Sequence, residues 1–194
     1  GAQNDGTAYK LAINGGTPVR LFSHFFNRIH NVAEHPTTGE IFFNDTWESD
    51  NQSTRKGYKG AFNPDIQSYN PKTKAYKRYT NYIGKDLWAS IDRSGNVYFA
   101  SDEANGQYNL YTFQNGQKLA LTQFPEAIKR PQVSANGQKV VFEKEYQLYV
   151  YDVASKTSQK INPNPLRNYV LPHEQDFKVS GNIAGFDVST DSKK

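Results

Sequence analysis

The stretch that decides the fold runs from Pro131 to Phe142 and reads PQVSANGQKVVF. A short apolar segment leads into a polar turn at Asn136-Gly137, and the apolar triplet Val140-Val141-Phe142 follows directly. Short apolar runs separated by turns rich in Gly, Asn and Asp are typical of β-strands. The stretch therefore predicts two antiparallel strands.

The same succession of features occurs twice more in the chain. Turns similar to that at residues 134–138 occur at residues 36–40 and 92–96, and an apolar triplet follows each of them. Each copy then continues into a third and a fourth β-type segment: the third segments are residues 65–69, 109–113 and 147–151, and the fourth are residues 75–79, 118–122 and 157–161. Four strands over roughly 40 to 45 residues is the repeat of a β-propeller blade.

The apolar triplets support this architecture. Ile41-Phe42-Phe43 and Val97-Tyr98-Phe99 do not alternate with polar residues, as strands with one solvated face would. In a propeller, the second strand of each blade lies between two neighbouring blades, so both of its faces are covered. The fourth strands carry Lys or Arg, which suits an outer edge exposed to solvent. We interpret the aromatic residues of the triplets as core packing.

The repeat divides the chain into five parts. Residues 1–22 form a partial blade, residues 23–80 a blade with a long insertion at 44–63, residues 81–124 and 125–162 two further blades, and residues 163–194 a Pro-rich linker with the start of a truncated blade. The predicted fold is all-β: an incomplete β-propeller with three full four-stranded blades and partial blades at both ends. We expect a segment of a longer propeller, and a four-bladed ring with one defective blade remains the alternative.

Composition and motifs exclude several kinds of function. The 194 residues include no cysteine, which excludes disulfides, thiolate metal sites and a cysteine nucleophile. No apolar run is long enough for membrane insertion, and no nucleotide-binding or G-x-S-x-G motif is present. On a strand, His24 and His30 would face away from His35, so no shared metal ion is expected. We therefore predict no metal, no cofactor and no catalytic residue.

The charge pattern does not favour a nucleic-acid partner. The net charge is +4, and the segment Arg55-Lys56-Gly57-Tyr58-Lys59 mixes cations with an aromatic ring, as single-strand binders do. The other lysines recur at turns and rim strands, one or two per blade, as the surface of a soluble repeat protein requires. We predict a peptide or protein partner instead, and edge-to-edge self-association through the open ends of the propeller.

The decisive stretch also resembles a known family. Pro131 to Phe142 resembles the P-x-(W/V)-S-P-D-G-K-x-I-x-F core of TolB-like, WD-repeat-like blades, and residues 183–194 look like another copy, with Thr190 and Ser192 departing from the pattern. Residues 14–21 resemble the GG-x-P-x-x-L ending of such blades. The order of features is most similar to the N-terminal propeller of tricorn-protease-like serine peptidases.

That resemblance implies a function without catalysis. In tricorn-like peptidases the propeller admits, orients or filters peptides for a separate domain that carries the nucleophilic serine. The resemblance therefore implies a propeller segment that binds or gates peptide substrate. The alternative is a TolB-like protein-interaction scaffold with no peptidase attached. The lack of cysteine and the Ala2-Gln3 start favour a periplasmic or secreted bacterial location over a cytoplasmic one, although an internal fragment would also fit them.

Two groups of residues are candidates for partner binding. The first group lies at or just before the predicted first strands, where the channel of a propeller opens: Arg28, Lys85, Asp86, Lys129 and Arg130. The second group lies in the insertion: Trp47, Arg55 and Tyr58. Because Arg and Lys pair with carboxylates, the cations suit a peptide C-terminus or an acidic side chain.

Overall fold

The computed structural model describes residues 6–22 and 28–165 together with Gly181. Contacts divide the chain into residues 1–162 and residues 163–194, and every strand described below belongs to the first unit. The strand predicted near residues 182–189 lies outside the described residues.

Among the described residues, the first unit contains fourteen strands and one short helix. A hairpin of β1 (Tyr9–Lys10) and β2 (Val19–Arg20) comes first. The first sheet contains β3 (His30–Glu34), β4 (Ile41–Asn44), β5 (Gln67–Asn70) and β6 (Ala75–Arg78), with helix α1 (Trp47–Asp50) between β4 and β5. The second sheet contains β7 (Asp86–Ile91), β8 (Val97–Ser101), β9 (Asn109–Gln114) and β10 (Gln117–Ala120), and the third contains β11 (Ile128–Val133), β12 (Lys139–Lys144), β13 (Gln147–Asp152) and β14 (Thr157–Ile161).

Each sheet is one blade of a propeller. Its four strands are antiparallel and lie side by side in chain order, as consecutive hairpins require. The first strand of the second blade, β7, contacts the first strands of the other two blades, β3 and β11. The predicted all-β fold class and the incomplete propeller are confirmed.

The second strands lie in the core, as their apolar triplets predict. Every residue of β4 and β8 is buried. Phe42 of the first blade belongs to one apolar cluster with Phe99 and Tyr111 of the second blade. In the third blade, β12 alternates instead: Val140 and Phe142 are buried against the second blade. The described residues place a neighbouring blade on that side of β12, so alternation is the expected pattern.

The turns between first and second strands also join neighbouring blades. Gly137 has a φ of +71°, and a Cβ there would lie 2.5 Å from Asp92 Oδ2 of the preceding blade. That carboxylate cannot move freely, because its Oδ1 accepts hydrogen bonds from the backbone N–H groups of Ser94 (2.8 Å) and Asn96 (2.9 Å). The Asn-Gly turn of the decisive stretch therefore serves two purposes: it closes a hairpin and lets two blades approach closely.

Replacing Gly137 by alanine should destabilise the protein more than the same change at Gly116. Gly116 has a nearly equal φ of +76°, but a Cβ there meets no atom within 4 Å. We expect Gly116→Ala to cost about 1 kcal/mol from backbone strain alone, and Gly137→Ala to cost roughly 2–4 kcal/mol because the Asp92 contact is added. Urea unfolding of the two variants measures the difference, and equal losses would contradict the close approach.

Candidate functional site

The first strands of the three blades line a shared cavity, which we call the channel cavity. It has a volume of about 390 Å³, and its walls come from residues 31–34 of β3, 88–91 of β7, and Arg130, Gln132 and Val133 of β11. Because these strands are the innermost of their blades, this cavity occupies the position of a propeller channel.

Each first strand has an irregularity at the same place. The register of pairing with the second strand shifts between His30 and Ala33, between Leu87 and Ser90, and between Lys129 and Gln132. The residue after the last regular pair has a left-handed backbone in all three blades: Asn31 (φ 53°), Trp88 (φ 59°) and Arg130 (φ 49°). Such bulges redirect side chains, and all three of these residues line the channel cavity.

The backbone conformation of Trp88 is held by a buried amide. The left-handed region costs a residue with a Cβ roughly 1–2 kcal/mol. Asn44, which is 1% exposed, accepts hydrogen bonds on Oδ1 from the backbone N–H of Trp88 and from Asn31 Nδ2, both at 3.2 Å. Its Nδ2 donates to the carbonyl oxygen of Asp86 at 3.1 Å. The Asn44 side chain at the end of β4 therefore forms hydrogen bonds with the bulge residues of two first strands.

A buried ion pair anchors the insertion to the second blade. Thr46 caps helix α1, which carries Glu48 in its first turn. The Glu48 carboxylate is 1% exposed and lies 2.9 Å from Lys85 Nζ, which is 0% exposed. Arg55 also forms an ion pair with Glu48 and lies over the ring of Tyr58. Burial without partners would be very unfavourable for Glu48, so the two cations determine where the insertion lies.

Three further contacts fix the same segment. Arg28 Nη1 donates to Asp50 Oδ2 at 2.8 Å. His30 Nε2 lies 2.7 Å from Ser49 Oγ, and His30 Nδ1 lies 2.8 Å from the carbonyl oxygen of Arg28. On the other side, the Tyr108 hydroxyl donates to the carbonyl oxygen of Ser53 at 2.7 Å. The insertion therefore contacts both the first and the second blade.

The contact between His30 and Ser49 has a structural role. The imidazole bonds a backbone carbonyl rather than a carboxylate on its other side, and Ser49 is 2% exposed, so a substrate carbonyl cannot reach its hydroxyl. Burial lowers the pKa of His30, which keeps the ring neutral near pH 7. This pair fastens α1 to β3.

The anchored insertion forms one wall of a second cavity, which we call the mouth cavity. It has a volume of about 520 Å³. Ser53, Thr54 and Lys56 of the insertion face three aromatic residues across it: Trp88, Tyr108 and Tyr146. Trp88 also lines the channel cavity, so the two cavities share that side chain as a wall.

The lysines and glutamates around the mouth cavity are mostly paired. Lys129 lies 3.2 Å from Glu143 and 5.2 Å from the ring of Tyr146. Lys144 pairs with Glu126 at 3.0 Å and with Glu145 at 2.9 Å. Within the described part of the chain, two exposed cations at these cavities have no carboxylate within 4.0 Å: Lys56 of the mouth cavity and Arg130 of the channel cavity.

The candidate residues that were proposed from the sequence lie in different parts of the structure. Lys129 and Arg130 line the two cavities. Arg28 and Lys85 anchor the insertion, and Lys85 is buried rather than open to a ligand. Asp86 is also buried, and its carboxylate lies 3.0 Å from Lys118 Nζ. Burial raises the pKa of Asp86, and the Lys118 ammonium opposes that shift.

The insertion candidates do not line the mouth cavity. Arg55 and Tyr58 stack on each other beside Glu48, and Trp47 is 43% exposed at the start of α1. The sequence argument missed the aromatic wall and Lys56. Trp88 could have been found by aligning the first strands, because it occupies the position of Arg130. Tyr146 could have been found as the hairpin tip that corresponds to the insertion.

The described residues hold neither a metal-binding cluster nor a helix that could span a membrane. Among residues 6–22, 28–165 and 181, no three His, Asp or Glu side chains come together in a way that could hold a metal ion. His24 and His173 lie outside the described residues. No helix within the same residues has the length and apolar character needed to cross a membrane.

Fold and cavities together define a β-propeller with a lined channel, and comparisons with known proteins agree. No protein-family model matches the chain. The chain is 30% identical over 111 residues to the tricorn protease homologue of Saccharolobus solfataricus, a match that covers 56% of this chain and 10% of that protein. Thus the chain spans about a tenth of the length of this curated relative.

Solved structures show the same architecture. TolB from Acinetobacter baumannii is similar with a TM-score of 0.62 and 20% identity, over 82% of this chain and 38% of that one. The tricorn protease is similar with a TM-score of 0.61 and 16% identity, over 84% of this chain and 15% of that one. The resemblance inferred from the blade motifs is confirmed: the chain has a β-propeller fold similar to those of TolB and the tricorn protease.

Removing the buried ammonium of Lys85 should loosen the insertion. Lys85→Met leaves the buried Glu48 with Arg55 as its one cation, and we expect a loss of about 3 kcal/mol. Adding Glu48→Leu removes the buried charge, so the double variant should recover most of that loss. Urea unfolding gives the stabilities, and hydrogen exchange across residues 44–63 reports the loosening. A double variant that is less stable to urea than Lys85→Met would contradict this account.

Acidification should weaken the contact between α1 and β3. The pKa of His30 is lower in the folded protein than the unfolded value of 6.5, so the unfolded state binds more protons as the pH falls. Stability should therefore drop as the pH falls through the unfolded pKa of 6.5 towards the lower pKa of the folded state. The measurement is urea unfolding of the parent and of His30→Gln at a series of pH values. The loss of unfolding free energy caused by His30 protonation should be absent from the variant.

Proposed function

We propose that this chain is a non-catalytic propeller segment of a tricorn-like peptidase, and that it binds or gates peptide substrate for a catalytic domain elsewhere in the protein. The observation that carries the proposal is the pair of cavities that share Trp88. One lies between the first strands and the other is open beside the insertion. Similarity to the tricorn protease homologue supports the peptidase context.

The lining of the cavities suits a peptide. Tyr146, which is 88% exposed, offers a large contact area at a small cost in conformational entropy, because its side chain has two rotatable bonds. Trp88 and Tyr108 are buried in the core and form a rigid apolar base beside it. Ser53 and Thr54 also line the mouth cavity, and hydroxyl groups can donate to and accept from a peptide backbone. Volumes of about 390 and 520 Å³ lie in the range of ligand sites.

A scaffold that binds a protein partner is the second candidate. Tyr146 is 88% exposed at the tip of the hairpin between β12 and β13, and the similarity to TolB supports this reading. Exposed aromatic residues are typical anchors of protein interfaces. The reading frame beyond Lys194 separates the candidates: a downstream peptidase domain favours the first, and a stop codon soon after ring closure favours the second.

Filling the channel should abolish peptide binding. Val32 lines the channel cavity and is 43% exposed, so Val32→Trp adds bulk there with little disturbance of the core. Leu119 is 40% exposed on the outer strand β10, and Leu119→Trp is the matched control. Fluorescence anisotropy with a pool of fluorescein-labelled decapeptides should show binding to the parent and to Leu119→Trp, and at least tenfold weaker binding to Val32→Trp.

Two results would count against a channel site. If Val32→Trp binds the pool as the parent does, the channel is not where peptides bind. If the parent binds no peptide while the protein is folded by circular dichroism, the peptide-binding function itself is wrong. A screen of peptidase and glycosidase substrates on the purified chain tests separately whether this segment has any catalysis of its own.

A further inference from the structure

Arg130 combines three properties that a structural residue does not need. Its backbone is left-handed, with a φ of 49°. Its side chain lines the channel cavity and is exposed. Within the described residues, no carboxylate lies within 4.0 Å of its guanidinium.

The fold does not require an arginine at this position. The matching residue of the first blade is Asn31, and asparagine is one of the few residue types that tolerate the left-handed region. Arginine has no short polar group that could compensate the strain locally. Strained residues concentrate where a protein contacts ligands, and here the strain coincides with a cavity.

The guanidinium is also the unbalanced charge of the channel cavity. The other ionisable side chain of the lining is Glu34, whose carboxylate lies 2.9 Å from Lys10 Nζ. A guanidinium presents parallel N–H donors that match the two oxygens of a carboxylate. In a concave site it is therefore suited to a carboxylate of the occupant.

The opposite wall can accept a hydrogen bond from a peptide backbone. Asn31 Nδ2 donates to Asn44 Oδ1 at 3.2 Å, which fixes the orientation of the amide. No described residue donates to Asn31 Oδ1, so this oxygen is open to a peptide N–H. Trp88, which is 7% exposed, lies on β7 between the strands that carry the two polar groups and lines the same cavity.

We propose that Arg130 recognises a carboxylate of the peptide in the channel, supplied either by a free C-terminus or by an aspartate or glutamate side chain. This inference rests on the proposed peptide-binding function and specifies its substrate class. On this proposal Arg130 determines specificity. Asn31 and Trp88, the corresponding bulge residues of the other two blades, line the same cavity.

Three labelled peptides distinguish the sources of the carboxylate. All have the same length, an N-terminal fluorescein and a background of alanine, serine and tyrosine. The first has a free C-terminal acid and no acidic side chain, the second has an amidated C-terminus and one central aspartate, and the third has an amidated C-terminus and asparagine in place of the aspartate. We expect the first or the second to bind roughly 10- to 100-fold tighter than the third.

Arg130→Asn tests the residue, with Arg93→Asn as the matched control. Arg93 is exposed on the turn between β7 and β8 and, in the described part of the chain, has no carboxylate partner, so the change in net charge is the same. Arg130→Asn should abolish the preference for the carboxylate, and Arg93→Asn should preserve it. Because asparagine tolerates the backbone conformation, the thermal midpoint of Arg130→Asn should equal or exceed that of the parent.

The outcomes separate the inference from the function on which it rests. If the parent binds none of the three peptides, both are overturned. If it binds all three equally, or if Arg130→Asn weakens all three by the same factor, the peptide-binding function stands and carboxylate recognition is overturned. A preference for the acid that depends on Arg130 supports both, and the peptide that shows it identifies the source.

Discussion

Burial of second strands between neighbouring blades is the constraint on which the rest of the structure depends. A strand such as β4 or β8, buried along its whole length, has no face for solvent, so it requires a sheet on each side. Once the blades stack in this way, their first strands converge and enclose a cavity. The close approach of Gly137 to Asp92 and the bonds made by Asn44 depend on that same stacking.

A second constraint acts on the insertion. An unpaired carboxylate inside a protein is so unfavourable that the Glu48 side chain can be buried only where cations meet it. Lys85 and Arg55 supply them, one from the second blade and one from the insertion itself. The segment after helix α1 is thereby held against Tyr108 and forms a wall of the mouth cavity. A long insertion is thereby held in place and forms one side of a cavity.

The bulges of the first strands shape the lining of the channel cavity. A regular first strand would alternate its side chains between neighbouring blades, whereas a bulge with a left-handed residue brings one residue of each blade to the lining of the channel cavity. The scaffold repeats the bulge three times, but the residue at its centre differs: Asn31, Trp88 and Arg130. Because the same bulge carries a different side chain in each blade, equivalent positions of the repeat give the cavity an asymmetric lining.

The sequence by itself determined the blades, because the contacts that define a blade are local. Each strand pairs with the next one along the chain, so Asn136-Gly137 and the triplet that follows specify a hairpin without reference to distant residues. It also predicted Lys129 and Arg130 near the channel mouth; in the structure Lys129 lines the mouth cavity and Arg130 the channel cavity. Only the tertiary structure decided that Lys85 and Asp86 are buried and that Trp88 lines both cavities. Those outcomes arise from contacts between different blades, and no local pattern encodes which charge will meet its partner there.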